Sequence, residues 1–343
     1  MLQTIDWSGF HIKAGETVSI VVPCLEFVLF LDTTDDAGIL DFYNRARSAL
    51  GSRITYYQAE SMTGFKKLNE RGESMVPTWF TKPRAGKLTY YITLSESDPN
   101  ESVSSSTIEL SIFRRPSEDV TPKTRAQWKI TYEEKKSKLP HPGSQLRVTL
   151  PLDHPLAEPA AIRDWILDFS LVKAGSDFTG HCGYALNHYM QPARSSLFDP
   201  AEKALASLVL RYPGLGFAGA AVQSRILRYE PKLSEFVPLI ERANWLNLVC
   251  DKTLDLIGGR SRVRTLLGDD LPISMHEVEH GVAIQAGPSP QLGDLGHRDF
   301  VEPYRRVAKV LRPIRIADIP GMGGWFMQTE TNDWLNAFDK EYQ

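Results

Sequence analysis

The 343-residue chain carries 39 basic and 42 acidic residues, a formal net charge of -3 at pH 7, with 42% apolar and 24% charged residues. This is the profile of a globular protein with room for a sizeable core, in one large domain or two. It excludes a field of one sign able to hold a nucleic-acid backbone along the whole surface. Cys24, Cys182 and Cys250 stand among apolar neighbours without zinc-site spacing, and read as reduced core residues of a cytosolic protein. The first residues lack a basic start followed by an apolar run, and the apolar stretch 18–31 is interrupted by Pro23 and Glu26. No secretory signal or membrane span is therefore expected, and the expected place of action is the cytoplasm.

Leu25 to Leu31 reads as a buried strand. Thr33 to Asp36 then caps a helix whose apolar positions Ile39, Tyr43, Ala46 and Leu50 keep a helical period. Gly51 ends that helix and Ile54 to Tyr57 is the next strand. Residues 88–94 and 107–113 are two more strands, rich in β-branched and aromatic side chains, joined by a polar, acidic loop. From Arg114 to Gly143 the chain turns polar and proline-rich, with a short strand around Trp128 to Tyr132, and the domain boundary is placed there.

The second half opens as the first did. Leu146 to Leu150 is a strand, Glu158-Pro159 starts a helix with Ile162, Trp165, Ile166, Phe169 and Val172 on one face, and His181 to Asn187 returns as a strand. Pro200 to Tyr212 is a helix stopped by Pro213-Gly214, and residues 218–243 read as irregular. A near-continuous apolar strand, Trp245 to Cys250, runs into a helix closed by Gly258-Gly259. An alternating strand follows from Val282 and ends at Gly287-Pro288, and Pro303 to Leu311 is an amphipathic helix. Trp325 to Phe338 closes the chain as a short helix. The pattern predicts an α+β fold of two similar modules, each a mixed β-sheet with helices packed on it. The first spans 1–143, a β-α-β unit with extra strands, and the second spans 144–343.

Four groups of residues invite chemistry. His276-Glu277-Val278-Glu279-His280 matches H-E-x-x-H, which on a helix would bring two imidazoles to one zinc with Glu277 as base. Here it lies between Leu271-Pro272-Ile273 and an alternating apolar run. That is strand context, where positions four apart stand about 13 Å from each other. Gly214-Leu215-Gly216-Phe217-Ala218-Gly219 matches the dinucleotide fingerprint but follows a helix and Pro213, so it reads as a helix stop. His181, Cys182 and His188 read as a buried thiol beside a surface histidine and not as a nucleophile pair. The acidic groups Asp35, Asp36 and Glu96, Asp98, Glu101 could serve as metal or catalytic carboxylates, but read as solvated loops or a face for a basic protein partner.

The motifs Arg211 to Leu215 with Pro213-Gly214, Asn244-Trp245 to Leu248, Ile257-Gly258-Gly259, Ala286-Gly287-Pro288, Gly293-Asp294 and Pro303-Tyr304 to Pro313, in that order, resemble the bacterial type VI secretion immunity family. The resemblance extends over most of the chain and is strongest after Leu146. It implies a protein without a cofactor that binds and neutralises a cognate toxin, a cytosol-acting nuclease or other enzyme, and it assigns those recurrent residues to the fold. With no nucleic-acid or membrane partner expected, the function implied is occlusion of the toxin. The alternative, from the residues alone, is a zinc-dependent hydrolase using His276, Glu277 and His280. A third reading is an adaptor for the secretion apparatus.

Overall fold

The computed structural model describes residues 5–14, 18–31, 35–60, 62–81, 90–97, 107–114, 141–173, 177–188, 195–218, 225–230, 233, 235–316 and 328–340. Along the chain run β1 (Ile12–Ala14), β2 (Val18–Leu31), α1 (Asp36–Leu50), β3 (Tyr56–Ala59), β4 (Lys66–Lys67), α2 (Glu70–Thr81), β5 (Tyr90–Ser95) and β6 (Glu109–Arg114). Next come β7 (His141–Pro142), β8 (Ser144–Leu150), α3 (Pro159–Leu167), α4 (Ser170–Lys173), β9 (Phe178–His188), α5 (Ser195–Arg211) and β10 (Gly216–Ala218). The rest is β11 (Arg225–Glu230), β12 (Glu235–Pro238), β13 (Leu246–Cys250), α6 (Asp251–Asp255), α7 (Gly259–Leu267), β14 (Ile273–Val278), β15 (Gly281–Ala286), α8 (Glu302–Leu311) and α9 (Gln328–Leu335).

These strands form a twelve-stranded sheet in the order β14-β15-β13-β9-β2-β8-β6-β5-β3-β4, with β1 added to β2 and β10 to β9, and a three-stranded sheet β12-β11-β7. The architecture is α+β. The 143/144 division falls at the entry to β8, and the large sheet continues across it. Strand β2 is bonded to β8 over Leu25–Leu31 and to β9 over Val21–Leu31.

Strand β2 is central because its residues alternate between two usable faces. Leu25, Phe27, Leu29 and Leu31 are buried in the larger core, where Phe27 lies against Phe42 of α1, Trp165 of α3 and Phe169, stacking on the last at 5.9 Å. Both β-α-β crossings, through α1 and through α3 and α4, therefore cover the same side of the sheet. Val28 and Phe30 point the other way, into a second core shared with α5, β11, β12 and Trp334 of α9. Two residues before Val28 in the same alternation sits Glu26, only 3% exposed. Its carboxylate accepts from Arg147 Nε at 2.7 Å, and Arg147 also donates to Glu109 at 2.7 Å and to Asn187 at 3.2 Å. A buried ion needs such complete pairing, since an unpaired one costs several kcal/mol, on the order of 3–5.

The structure differs from the sequence expectations at identifiable places. Strand β2 begins at Val18 and runs through Pro23. On that edge β1 pairs only with residues 18–21 and β8 only from Leu25, so Pro23 falls in the gap where no partner needs its missing N–H. Helix α2, unassigned in sequence, contains Pro77 and Gly72, whose N–H donates to the Asn69 side chain at 3.0 Å. The stretch read as irregular holds the β11–β12 hairpin. The helix expected to close at Gly258-Gly259 instead breaks there and resumes as α7, with both glycines at positive φ, 98° and 78°. The strand expected at 128–132 lies outside the described residues.

Candidate protein-docking site

Three loops leave the large sheet at one end. Cross-strand register places Ser95 opposite Glu109, Glu109 opposite Thr149 and Thr149 opposite Glu26, while Ala286 N–H bonds to the Trp245 carbonyl at 2.7 Å at the same level. The connection after β5, the 151–159 loop after β8 and the 287–301 loop after β15 all start from that row. The last two enclose a cleft of about 950 Å³.

The 287–301 loop is held by the residues singled out in the sequence. Trp245 Nε1 and Gln285 Nε2 donate to the Gly287 carbonyl at 3.0 and 2.9 Å, and Gly287 itself takes a φ of 98° before Pro288. The Gln291 N–H donates to the Tyr304 hydroxyl at 3.0 Å, and Gly214 N–H to the Leu292 carbonyl at 2.7 Å. A side chain at Gly214 would meet the Gln291 carbonyl oxygen at 1.9 Å, so only glycine lets the two loops touch. At the start of β13 the Asn247 side chain grips the Asn244 backbone, accepting from its N–H at 2.9 Å and donating to its carbonyl at 2.7 Å. Buried Arg242 donates to the carbonyls of Leu215 and Pro213 and stacks on Trp334 at 4.9 Å. Of the motif residues, Gly258 and Gly259 lie apart from this cluster, at the α6–α7 break.

At the cleft lip, Asp294 accepts from Arg211 Nε and Nη2 at 2.9 and 2.8 Å, from the Gly296 N–H at 2.9 Å, and contacts His297 Nδ1 at 2.7 Å. The Arg211 hydrogen bonds, chief among these, hold its carboxyl well below the usual carboxylate range. The opposite lip carries Asp153, His154 and Glu158. Glu158 caps α3 by accepting from Ala161 N–H at 2.8 Å. His154 has its pKa lowered, first by partial burial and then by Arg53. Asp153 and Asp299 are exposed and form no ion pair among the described residues. Among the described residues the cleft lining holds four carboxylates and no lysine or arginine, with Arg211 matched to Asp294 at the lip.

The acidic loops named from sequence fall at two ends of β6. Glu96 stands at the cleft end, paired with Arg53 at 3.2 Å and accepting from Thr107 N–H at 2.7 Å. Asp35 and Asp36 stand at the far end. Asp35 caps α1 through Gly38 N–H at 2.9 Å, and Asp36 receives Arg114 at 2.8 and 3.1 Å. Asp98 and Glu101 lie outside the described residues. Sequence reasoning missed Asp153 and Asp299, which no motif marks.

The H-E-x-x-H segment forms strand β14 and the turn into β15. His276 contacts Gln285 at 3.1 Å, Glu277 is bound by Arg260 and Arg264, and His280 lies in the turn beside Glu279. The zinc-hydrolase arrangement is therefore not formed. Gly214 to Ala218 is a helix stop and strand β10, parallel to β9. Cys182 is buried and its thiol is pushed up by burial, while burial holds neighbouring His181 down at about 3.

The fold is of a kind already solved. It superposes on the Pseudomonas aeruginosa T6SS protein PA0821 with a TM-score of 0.71 at 18% identity, covering 97% of this chain and 88% of that one. The family model described as "TsiV: Type VI immunity for VRR-NUC" matches residues 78–338, and the chain belongs to that family. No curated protein matches it. Among the described residues, no helix is long and apolar enough to cross a membrane.

Proposed function

We propose that this protein neutralises a type VI secretion toxin carrying a VRR-NUC domain by binding it in the cytosol, with no cofactor and no chemistry of its own. The acid-lined cleft between the 151–159 and 287–301 loops receives a basic element of the toxin. A nuclease must hold a polyanionic backbone with lysines and arginines, and a carboxylate surface competes for those cations. The observation that carries this reading is the clustering of Asp153, Glu158, Asp294 and Asp299 around one cleft, with the loop that bears Asp294 and Asp299 pinned by the family-like motif residues.

In this reading Glu96, at the same end of the sheet, extends the acidic rim. Asp35 and Asp36, at the far end, are assigned a lesser, peripheral contact. Co-expression tests the function. Bacteria carrying the toxin's VRR-NUC domain survive when this chain is supplied, and the purified chain abolishes DNA cleavage near one-to-one stoichiometry. Undiminished cleavage at a large molar excess of the chain overturns the proposal.

A further inference from the structure

A second docking surface of opposite charge lies between α7 and α8. The two helices bound a groove of about 650 Å³ with Leu256, Leu266, Val310 and Pro313 on its apolar floor, and Leu266 is 46% exposed. Two of the cations on these helices, Arg262 and Lys309, line it without a carboxylate partner among the described residues. The other four on α7 and α8 are neutralised within the chain. Arg260 and Arg264 pair with Asp251 and Glu277, Arg305 with Glu302, and Arg306 with Asp270. Arg312, also exposed and unpaired among the described residues, continues the rim into the adjoining hollow.

We infer that this groove takes an acidic amphipathic helix of a protein partner. Among the described residues, the groove's unpaired cations Arg262 and Lys309 flank an aliphatic lining, which suits a helix whose apolar stripe is flanked by glutamate or aspartate. A nucleic-acid backbone has no use for that floor, and a basic surface is repelled by its rim. Helices of nine and ten residues offer about 14 Å of groove, room for two to three turns of the occupant. The groove shares no lining residue with the acidic cleft, so this inference stands apart from the toxin reading.

The test uses the whole protein and three fluorescent probes. These are a helical peptide with a leucine stripe flanked by glutamates, the same stripe flanked by lysines, and a short DNA duplex. Anisotropy titration is expected to show binding of the acidic peptide alone, weakening with salt. The paired substitution Arg262→Glu with Lys309→Glu should cost at least tenfold, and Leu266→Ser several-fold, with melting temperatures unchanged. All three residues line a solvent-open groove, and Arg262→Ala with Lys309→Ala serves as the milder pair should the reversal perturb folding. Equal binding of the two peptides, displacement of the acidic peptide by DNA, or an affinity indifferent to both variant pairs would overturn the inference.

Discussion

Arg211 and Asp294, 83 positions apart, meet in a two-pronged hydrogen bond, Nε to Oδ1 at 2.9 Å and Nη2 to Oδ2 at 2.8 Å. The arginine ends α5 and the aspartate opens the lip of the cleft, so one planar contact ties the second core to the loop that carries the site. Such forked pairs fix orientation as well as charge. Asp294→Asn keeps the shape but removes the charge. It is expected to leave the global melting temperature within a few degrees while speeding amide exchange in residues 291–299, read by hydrogen–deuterium exchange.

Gly214 is a second fastening point of that lip. Gly214→Ala places a methyl group 1.9 Å from the Gln291 carbonyl oxygen, which is backbone and cannot rotate away. We expect a loss of about 1–3 kcal/mol in denaturant unfolding, the usual range for overpacking, together with weakened toxin binding. An alanine variant as stable as the parent would contradict the close approach.

The buried ion cluster makes a larger demand. Arg147→Met removes the cation that serves both Glu26 and Glu109 and leaves the buried Glu26 and the half-buried Glu109 without it. The expected cost is on the order of 3–5 kcal/mol, enough to unfold a domain of ordinary stability. Pairing it with Glu26→Leu should recover part of that loss, measured as coupling in a double-mutant cycle.

Two buried groups set opposed pH dependences. Burial raises Glu241 from its usual 4.5 to about 8, so the folded state keeps a proton that the unfolded chain gives up, and stability falls as pH rises from 4.5 to 8. Burial lowers His181 from 6.5 to about 3, so the unfolded state binds the extra proton, and stability falls as pH drops from 6.5 toward 3. Between 4.5 and 6.5 the two slopes oppose each other. Above 6.5 the His181 slope has ended, and the Glu241 slope, at most about 1.4 kcal/mol per pH unit for one group, acts in the same direction as that of Glu26, whose carboxyl burial also raises. Urea titrations from pH 6.5 to 8 should show that decline in the parent and a shallower one in Glu241→Gln.

How much of this was readable beforehand follows from which forces are local. The Leu25–Leu31 strand, α1 and α3 announce themselves because apolar spacing and caps act within a few residues, and Asp35 and Glu158 do cap those helices. The motif residues were legible as turns and core, yet their convergence on the 287–301 loop was not, because Trp245, Gly214 and Tyr304 reach it from three separate segments. Helix α2 stayed hidden behind Pro77. Asp153 and Asp299 carry no local pattern, and only the sheet register brings their loops to one end. The H-E-x-x-H segment was correctly legible as a strand because the alternating run after Gly281 fixes its partner.

The central claim is that the acidic cleft receives the toxin, and calorimetric titration of the VRR-NUC domain tests it most directly. The account predicts that Asp153→Lys with Asp299→Lys, both exposed and free of ion pairs among the described residues, raises Kd at least tenfold, with Glu60→Lys at the far end of the sheet leaving it unchanged. An affinity indifferent to the double reversal, in a variant that melts like the parent, would contradict it.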